Sequence, residues 1–518
     1  MSGSSSRRRF LASVGRGTLL TALGPVFASE MGILSPVFAE EPEGRLTFGA
    51  LESLVSELQQ TPAEQVQSLI LQRYREGTSL RTLTGAGALA NARTFGGEDY
   101  IGFHTFMAFA PALNMSRRLP SDAAPLPVLK VLYRNSARIQ ESGGSASEVL
   151  HALSGSPVAD GDDQKLRQAV MGHEVAQSEQ ILSSLAARDP RAALQALLPL
   201  VQDNPEVHRT VLPFRAWAML DIVGEEHALT LLRQSLRYCL QSESYRRAEW
   251  DEHAALLTRL MDEFRLHRWT PGTAIADDDQ IRHLSEQFAT ASPNDAARAA
   301  AETLAAGYAP SQVGEALSLA ASLLVLRDGG RLPQWETPLK PAGCVHGDSV
   351  GVHASDAANA WRNLADVTTG SSALSCLLIG AWQVARDRMS GGHLLEQPLP
   401  TARLLNEVAA TDADQLLAQL DEAIRFNQQA HATAIAQKYG MLGLAPDPIF
   451  ATLLKYAVSE DGALHAEKYF QTVSDDFQST RPSLRWQHVA ALARVTASEY
   501  GRPAEGQAQA RDLLGLKS

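Results

Sequence analysis

Three cysteines in 518 residues, Cys239, Cys344 and Cys376, are an odd number at wide spacing, so no disulfide framework staples this chain. Cys239 and Cys376 fall in apolar helical runs and read as small core residues. Alternating Val/Ile/Thr runs bounded by hairpin turns are missing, which leaves strands little support. Beyond the first 39 positions no stretch reaches 18 apolar residues, so a later membrane anchor is not expected. The sequence has no Walker A loop, no Gly-x-Ser-x-Gly elbow and no CxxCH haem attachment. Positive charge is also short: Lys and Arg total 46 against 58 Asp and Glu, a net charge of −12. So acidic a surface argues against nucleic acid or anionic lipid as a partner.

Several near-motifs fail on chemistry. Gly85-Ala86-Gly87-Ala88-Leu89-Ala90 fits GxGxxA, but no strand precedes it, as a dinucleotide fold requires. His173-Glu174 opens like a zinc-protease motif, yet position 177 is Gln. None of His173, His227, His283 and His465 has Glu three residues earlier, which removes the ferritin-like di-iron pattern. Asp277-Asp278-Asp279 lacks the remaining calcium-loop ligands and reads as a solvated helix start.

What is present begins at the amino end. Ser6-Arg7-Arg8-Arg9-Phe10-Leu11-Ala12 places paired arginines before Phe-Leu, the twin-arginine arrangement, and a weakly apolar stretch follows from Ser13 to Ala28. Two copies of Pro-Val-Phe-Ala end at Ala28 and Ala39; cleavage after Ala39 is favoured because Glu40-Glu41-Pro42 opens a polar chain. Residues 1–39 are therefore expected to be an export signal, with the twin-arginine translocase as partner and a periplasmic or secreted destination. The signal holds four arginines and one glutamate, net +3, which leaves the remainder near −15.

From Leu46 onward the chain reads as helix after helix. Leu51, Leu54, Val55 and Leu58, then Val66, Leu69 and Ile70, recur at three and four. Thr61-Pro62, Ser292-Pro293 and Thr411-Asp412 match helix starts, and Gly77, Gly307, Gly440 and Gly443 stand where C-caps belong. A repeat is visible as well. Pro62 to Gly77 and the helix at 80–92 resemble Pro293 to Gly307 and the helix at 311–326. Each pair leads to one phrase: Ile101-Gly102-Phe103-His104 with Ala108 and Asn114, and Val350-Gly351-Val352-His353 with Ala357 and Asn363. The expected fold is all-α: antiparallel helical hairpins in two pseudo-repeated halves, 40–273 and 274–518, packed as one unit in a toroid or layered bundle.

Four of the fourteen histidines stand out. His104 lies among Phe103, Phe106, Met107 and Phe109, and His353 is its counterpart. His208 opens an apolar helix, and His227 opens the next one after Gly224-Glu225-Glu226. A hairpin there would bring His208 and His227 together. Imidazoles at helix starts facing one core are what a histidine metal centre needs. The other reading is that each histidine caps its own helix. On the loop Cys344, His346, Asp348 and His353, His346 is a reserve ligand. His151, His253, His267, His283, His393 and His431 have no companion pattern.

The phrases around His104 and His353 resemble two recurrent phrases of the questin oxidase-like family, and Val207-His208 through Glu226-His227-Ala228 is similar to bacterial relatives in which two histidines bracket a helix. The match covers about a third of the chain. It departs at Ser355-Asp356, at Trp361, and at Asp447-Pro448-Ile449-Phe450, where the family tends to carry a His before its Lys. The resemblance implies oxidative chemistry on aromatic rings. It implies His104, His208, His227 and His353 as ligands of a metal ion, iron first with zinc and copper as alternatives, and Lys455 as an unusual ligand or base. The functional expectation is an exported metal-dependent oxidoreductase or oxygenase acting on a small organic substrate. The alternative is a helical-repeat scaffold or binding protein with structural histidines. Metal storage or sensing without turnover is a third reading.

Overall fold

A computed structural model describes residues 44–153 and 162–516, apart from positions 269, 339, 348 and 391–392. The export signal and Asp348 lie outside the described residues. Among those described there are 23 α-helices and six short 3-10 turns, and β-structure is limited to isolated bridges. The chain is all-α, as its periodicity implies. No described helix is long and apolar enough to cross a membrane.

The start signals work as cap chemistry requires. Ser292 accepts from the Asp295 amide with Pro293 in the first turn, and Asp412 accepts from Gln415. Asp277 forms a capping box with Gln280, which accounts for the acidic triplet. Gly77, Gly307 and Gly443 take left-handed conformations. Gly440 does not: it lies inside helix Gln429–Met441, where a Cβ would fall 2.2 Å from the Trp486 ring. Close packing against tryptophan, not helix termination, requires glycine there.

The helices that build the centre are numbered here in chain order. The first half supplies α1 (Ala63–Arg75), α2 (Leu80–Phe95), α3 (Tyr100–Ser116) and α4 (Val207–Val223). The second supplies α5 (Pro293–Ala305), α6 (Pro310–Arg327), α7 (Val350–Val367), α8 (His465–Ser479) and α9 (Trp486–Glu499). The runs α1–α3 and α5–α7 solve one local problem twice. Asp99 caps α3 by accepting from Gly102, and Ser349 caps α7 by accepting from Val352. Two residues before each histidine stands the glycine at which the preceding helix comes closest. A Cβ on Gly102 would lie 2.6 Å from the Phe95 ring, and one on Gly351 2.7 Å from the Val325 amide nitrogen.

Two helices from each half form the inner layer. α3 packs on α4 and α8, and α7 packs on the same two, so the four close on one another. α7 and α8 run side by side in one direction. Thr472 donates to Asp356 at 2.8 Å, and a turn further on Asn359 donates to Asp476 at 3.0 Å. α3 is buried almost without interruption from Gly102 to Ser116, as a helix apolar on all faces must be. α9 locks this layer from outside: His488 bridges Ser322 of α6 at 2.6 Å and Thr480 at 3.0 Å.

Two predictions follow from this packing. Gly351→Ala pushes a methyl against backbone that cannot rotate away, so it should cost about 1–3 kcal/mol in urea unfolding. Gly102→Ala meets a movable ring and should cost less. His488 is held near pKa 4 chiefly by burial, with Arg362 also lowering it and Asp476 and Glu315 opposing. Its ordinary value is 6.5, so the unfolded chain takes up the proton first. The stability that the neutral ring contributes is complete above pH 6.5 and is lost as pH falls from 6.5 toward 4, by about 3 kcal/mol. Urea unfolding of His488→Gln across that window should show a correspondingly flatter decline than wild type.

Candidate metal centre

Each inner helix carries a histidine within its first five residues: His104 in α3, His208 in α4, His353 in α7 and His465 in α8. Their amino ends therefore face one another, and all four rings are buried, at 5, 1, 2 and 3 % exposure. The Nε2 atoms of His104 and His208 are 3.0 Å apart, and those of His353 and His465 are 3.1 Å apart. The two pairs lie against each other, with ring centroids 5.4 Å apart for His104–His465 and 5.6 Å for His208–His353. Exchanging the halves, His104 for His353 and His208 for His465, reproduces both sets of distances. A pseudo-twofold axis thus passes between the four rings.

The outward nitrogens decide the chemistry. His104 Nδ1 donates to the Tyr100 carbonyl at 2.7 Å, His208 Nδ1 to Glu206 Oε2 at 3.1 Å, and His465 Nδ1 to the Gly462 carbonyl at 3.3 Å. Carbonyl and carboxylate oxygens only accept, so in each neutral ring the hydrogen is on Nδ1 and Nε2 presents a lone pair. Two lone pairs 3.0 Å apart in a dry interior repel; a proton or a cation between His104 and His208 relieves that. Protonation is opposed. Burial first, then Lys468 and His208, holds His104 well below 6.5, and burial, Lys468 and His353 do the same to His465. Four helix amino ends, each carrying about half a positive charge, add to that opposition.

Neutral imidazoles that converge through Nε2 while donating Nδ1–H to a carboxylate or carbonyl have the outer-shell pattern of metal-binding histidines. Nitrogens sharing one ion at about 2.1 Å stand about 3.0–3.4 Å apart, a range that includes both pairs. The two pairs are not drawn together in this structure. Among the described residues no group of three or more His, Cys, Asp or Glu closes around one point as a metal would require.

Local sequence explains how the rings are aimed. Glu206 caps α4 by accepting from the His208 amide at 3.0 Å, the Arg209 amide at 2.5 Å and the Tyr238 hydroxyl at 2.8 Å, besides the His208 ring. Burial alone would raise its carboxyl, but attraction to the His208 ring first, then the hydrogen bonds from that ring, the Tyr238 hydroxyl and the His208 amide, hold it at about 2. His465 follows three residues with positive φ, Gly462, Ala463 and Leu464, the last two paying a steric cost on the order of 1 kcal/mol each. Gly347 packs on His465 from outside, so closely that an added Cβ would lie 2.3 Å from the His465 Cβ, and its amide donates to Glu499 at 2.7 Å.

Of the residues singled out in the sequence, His104, His208 and His353 meet. His346 is buried beside His465, with Nε2 3.7 Å from Glu499. His227 stands apart, half-buried against Phe48 at 5.7 Å between ring centroids. The reason is that one 17-residue helix, about 25 Å long, separates His208 from His227 and puts them at its opposite ends. Lys455 is also elsewhere: its side chain is 57 % exposed and pairs with Asp421 at 3.1 Å. The lysine close to the histidines is Lys468, 2 % exposed. His465 was not foreseen, although a signal existed. The offset of 249 between His104 and His353, applied to His208, lands at 457, eight residues from His465.

Comparison of the chain with family models, curated proteins and solved structures finds no match.

The tautomers are measurable. In ¹⁵N-histidine-labelled, chelator-treated protein, His104 and His465 should appear in long-range ¹H–¹⁵N spectra as neutral Nδ1–H forms at neutral pH. An Nε2–H form of His104 would remove the facing lone pairs.

Proposed function

We propose that the chain is an exported metal-dependent oxidoreductase whose ion is held by His104, His208, His353 and His465, with His346 in reserve. The observation that carries the proposal is the approach of the His104 and His208 Nε2 atoms to 3.0 Å while both Nδ1 atoms donate elsewhere. Such a donor set suits a borderline divalent ion, iron first, with zinc and copper as alternatives. A redox-active ion would supply Lewis acidity and electron transfer to a small organic substrate. The chain's own residues fix the rest. Glu206 and the Tyr100 and Gly462 carbonyls hold three rings in their ligating tautomer. Phe103, stacked on His104 at 4.9 Å between centroids, walls the centre from water. The oxidative part rests on the resemblance to the questin oxidase-like family. Folded export through the twin-arginine route would allow the ion to be loaded before crossing.

Elemental mass spectrometry of the natively exported protein tests the proposal. Wild type and His227→Ala should retain about one metal per chain, as one four-histidine site implies. His104→Ala and His465→Ala should lose it. A folded wild type that takes up no iron, zinc or copper on reconstitution would overturn the metal centre and leave the helical scaffold as the better account.

A further inference from the structure

Below the histidines the inner helices carry a second polar layer. Arg215 follows His208 by seven residues, so it lies on the same face of α4 about 10 Å further along the axis. Asp356 follows His353 by three residues and Lys468 follows His465 by three, one turn inward on α7 and α8. Arg215, Asp356 and Lys468 are 3, 2 and 2 % exposed.

The hydrogen bonding of this layer is incomplete. Asp356 accepts from Thr472, but Arg215 Nε and Nη2 have no partner among the described residues. Its guanidinium carbon sits over the Phe214 ring at 5.0 Å. Asp356 and Asp475 are near enough to act on the Arg215 charge, yet neither reaches it with a hydrogen bond. Burying a guanidinium with its donors unmatched is costly, so the layer is complete only with an acceptor from outside the chain.

We infer that Arg215 and Lys468 form a buried subsite for the carboxylate of a small organic acid, placed one to two helical turns from the histidine cluster. The planar guanidinium fork matches a carboxylate in two parallel hydrogen bonds. Asp356 and Asp475 stand near Arg215 and would repel a phosphate dianion more than a carboxylate monoanion. Lys468 lies near both Asp356 and His104, which puts the subsite next to the histidine cluster. As a binding site this stands without the metal; as a substrate site it rests on the proposed oxidoreductase.

Benzoate titrated by calorimetry into the exported protein, metal-loaded and chelator-treated, provides the test, with benzamide as the uncharged control. Benzoate should bind both forms and benzamide neither. Arg215→Gln should weaken benzoate by about tenfold or more, as loss of a bidentate charged contact does, while metal content stays unchanged. Arg215→Lys should fall between. If Arg215→Gln does not fold, Lys468→Met serves in its place with the same expected loss. Benzoate that binds the wild type in neither form, or binds equally with and without Arg215, overturns the subsite. Binding that needs the metal and ignores Arg215 does so too, because the acid is then a metal ligand. Arg215-dependent binding in a chain that never takes up metal keeps the subsite and removes the metal reading alone.

Discussion

Two imidazole Nε2 atoms 3.0 Å apart, each turned inward because its partner nitrogen is committed outward, set the constraint on which this molecule turns. With both rings neutral, two lone pairs face each other where the four inner helices meet, and a proton or a cation between them relieves the repulsion. With a cation between them, the same atoms become the tie of the structure. A ligand that binds only the assembled form stabilises it by mass action, so the centre couples the closure of the inner layer to what it holds.

The charges around the centre follow from that constraint. Burial first, then the buried Lys468, keeps His104 and His465 neutral and so able to ligate, and four helix amino ends raise the local potential further. The same potential makes a bare divalent ion harder to bury. Glu206 opposes it from the second layer, held ionised at about 2 despite full burial, first by attraction to His208 and then by its hydrogen bonds. Asp356 opposes it from below, where burial raises its carboxyl and Lys468 and Arg215 pull it back. Negative charge in this interior is thus supplied near the rings but not among them, which leaves the potential at the centre favourable to an anionic ligand.

Much of this was legible in the sequence, and the failures have physical causes. The helical class followed from apolar spacing and cap residues. The relation of His104 to His353 followed from Gly-x-His phrases, because a glycine is needed wherever the preceding helix lies against the backbone. His208 was found from its place at the start of an apolar helix. His227 was paired with it on the premise of a hairpin, whereas a single straight helix carries them apart. His465 was hidden by backbone: the left-handed turn Gly462-Ala463-Leu464 that aims it has no cap residue and no glycine at its last two positions. Lys455 and Lys468 both sit in apolar runs, and only tertiary packing decides which of them is buried.

The repeated histidine arrangement puts the centre between α3–α4 and α7–α8, and its two sides differ. Each half supplies one histidine from a capped, glycine-tightened helix and one from a later helix start, and the axis between the halves makes the inner contacts equivalent. The outer contacts do not share that equivalence. His208 leans on an ionised carboxylate, whereas His465 leans on a carbonyl at 3.3 Å with a strained turn behind it. A carboxylate partner makes an imidazole a stronger donor than a carbonyl does. Were an ion bound, the His104–His208 pair would be the stronger donor side, and the His353–His465 pair, with His346 and Glu499 behind it, the weaker one.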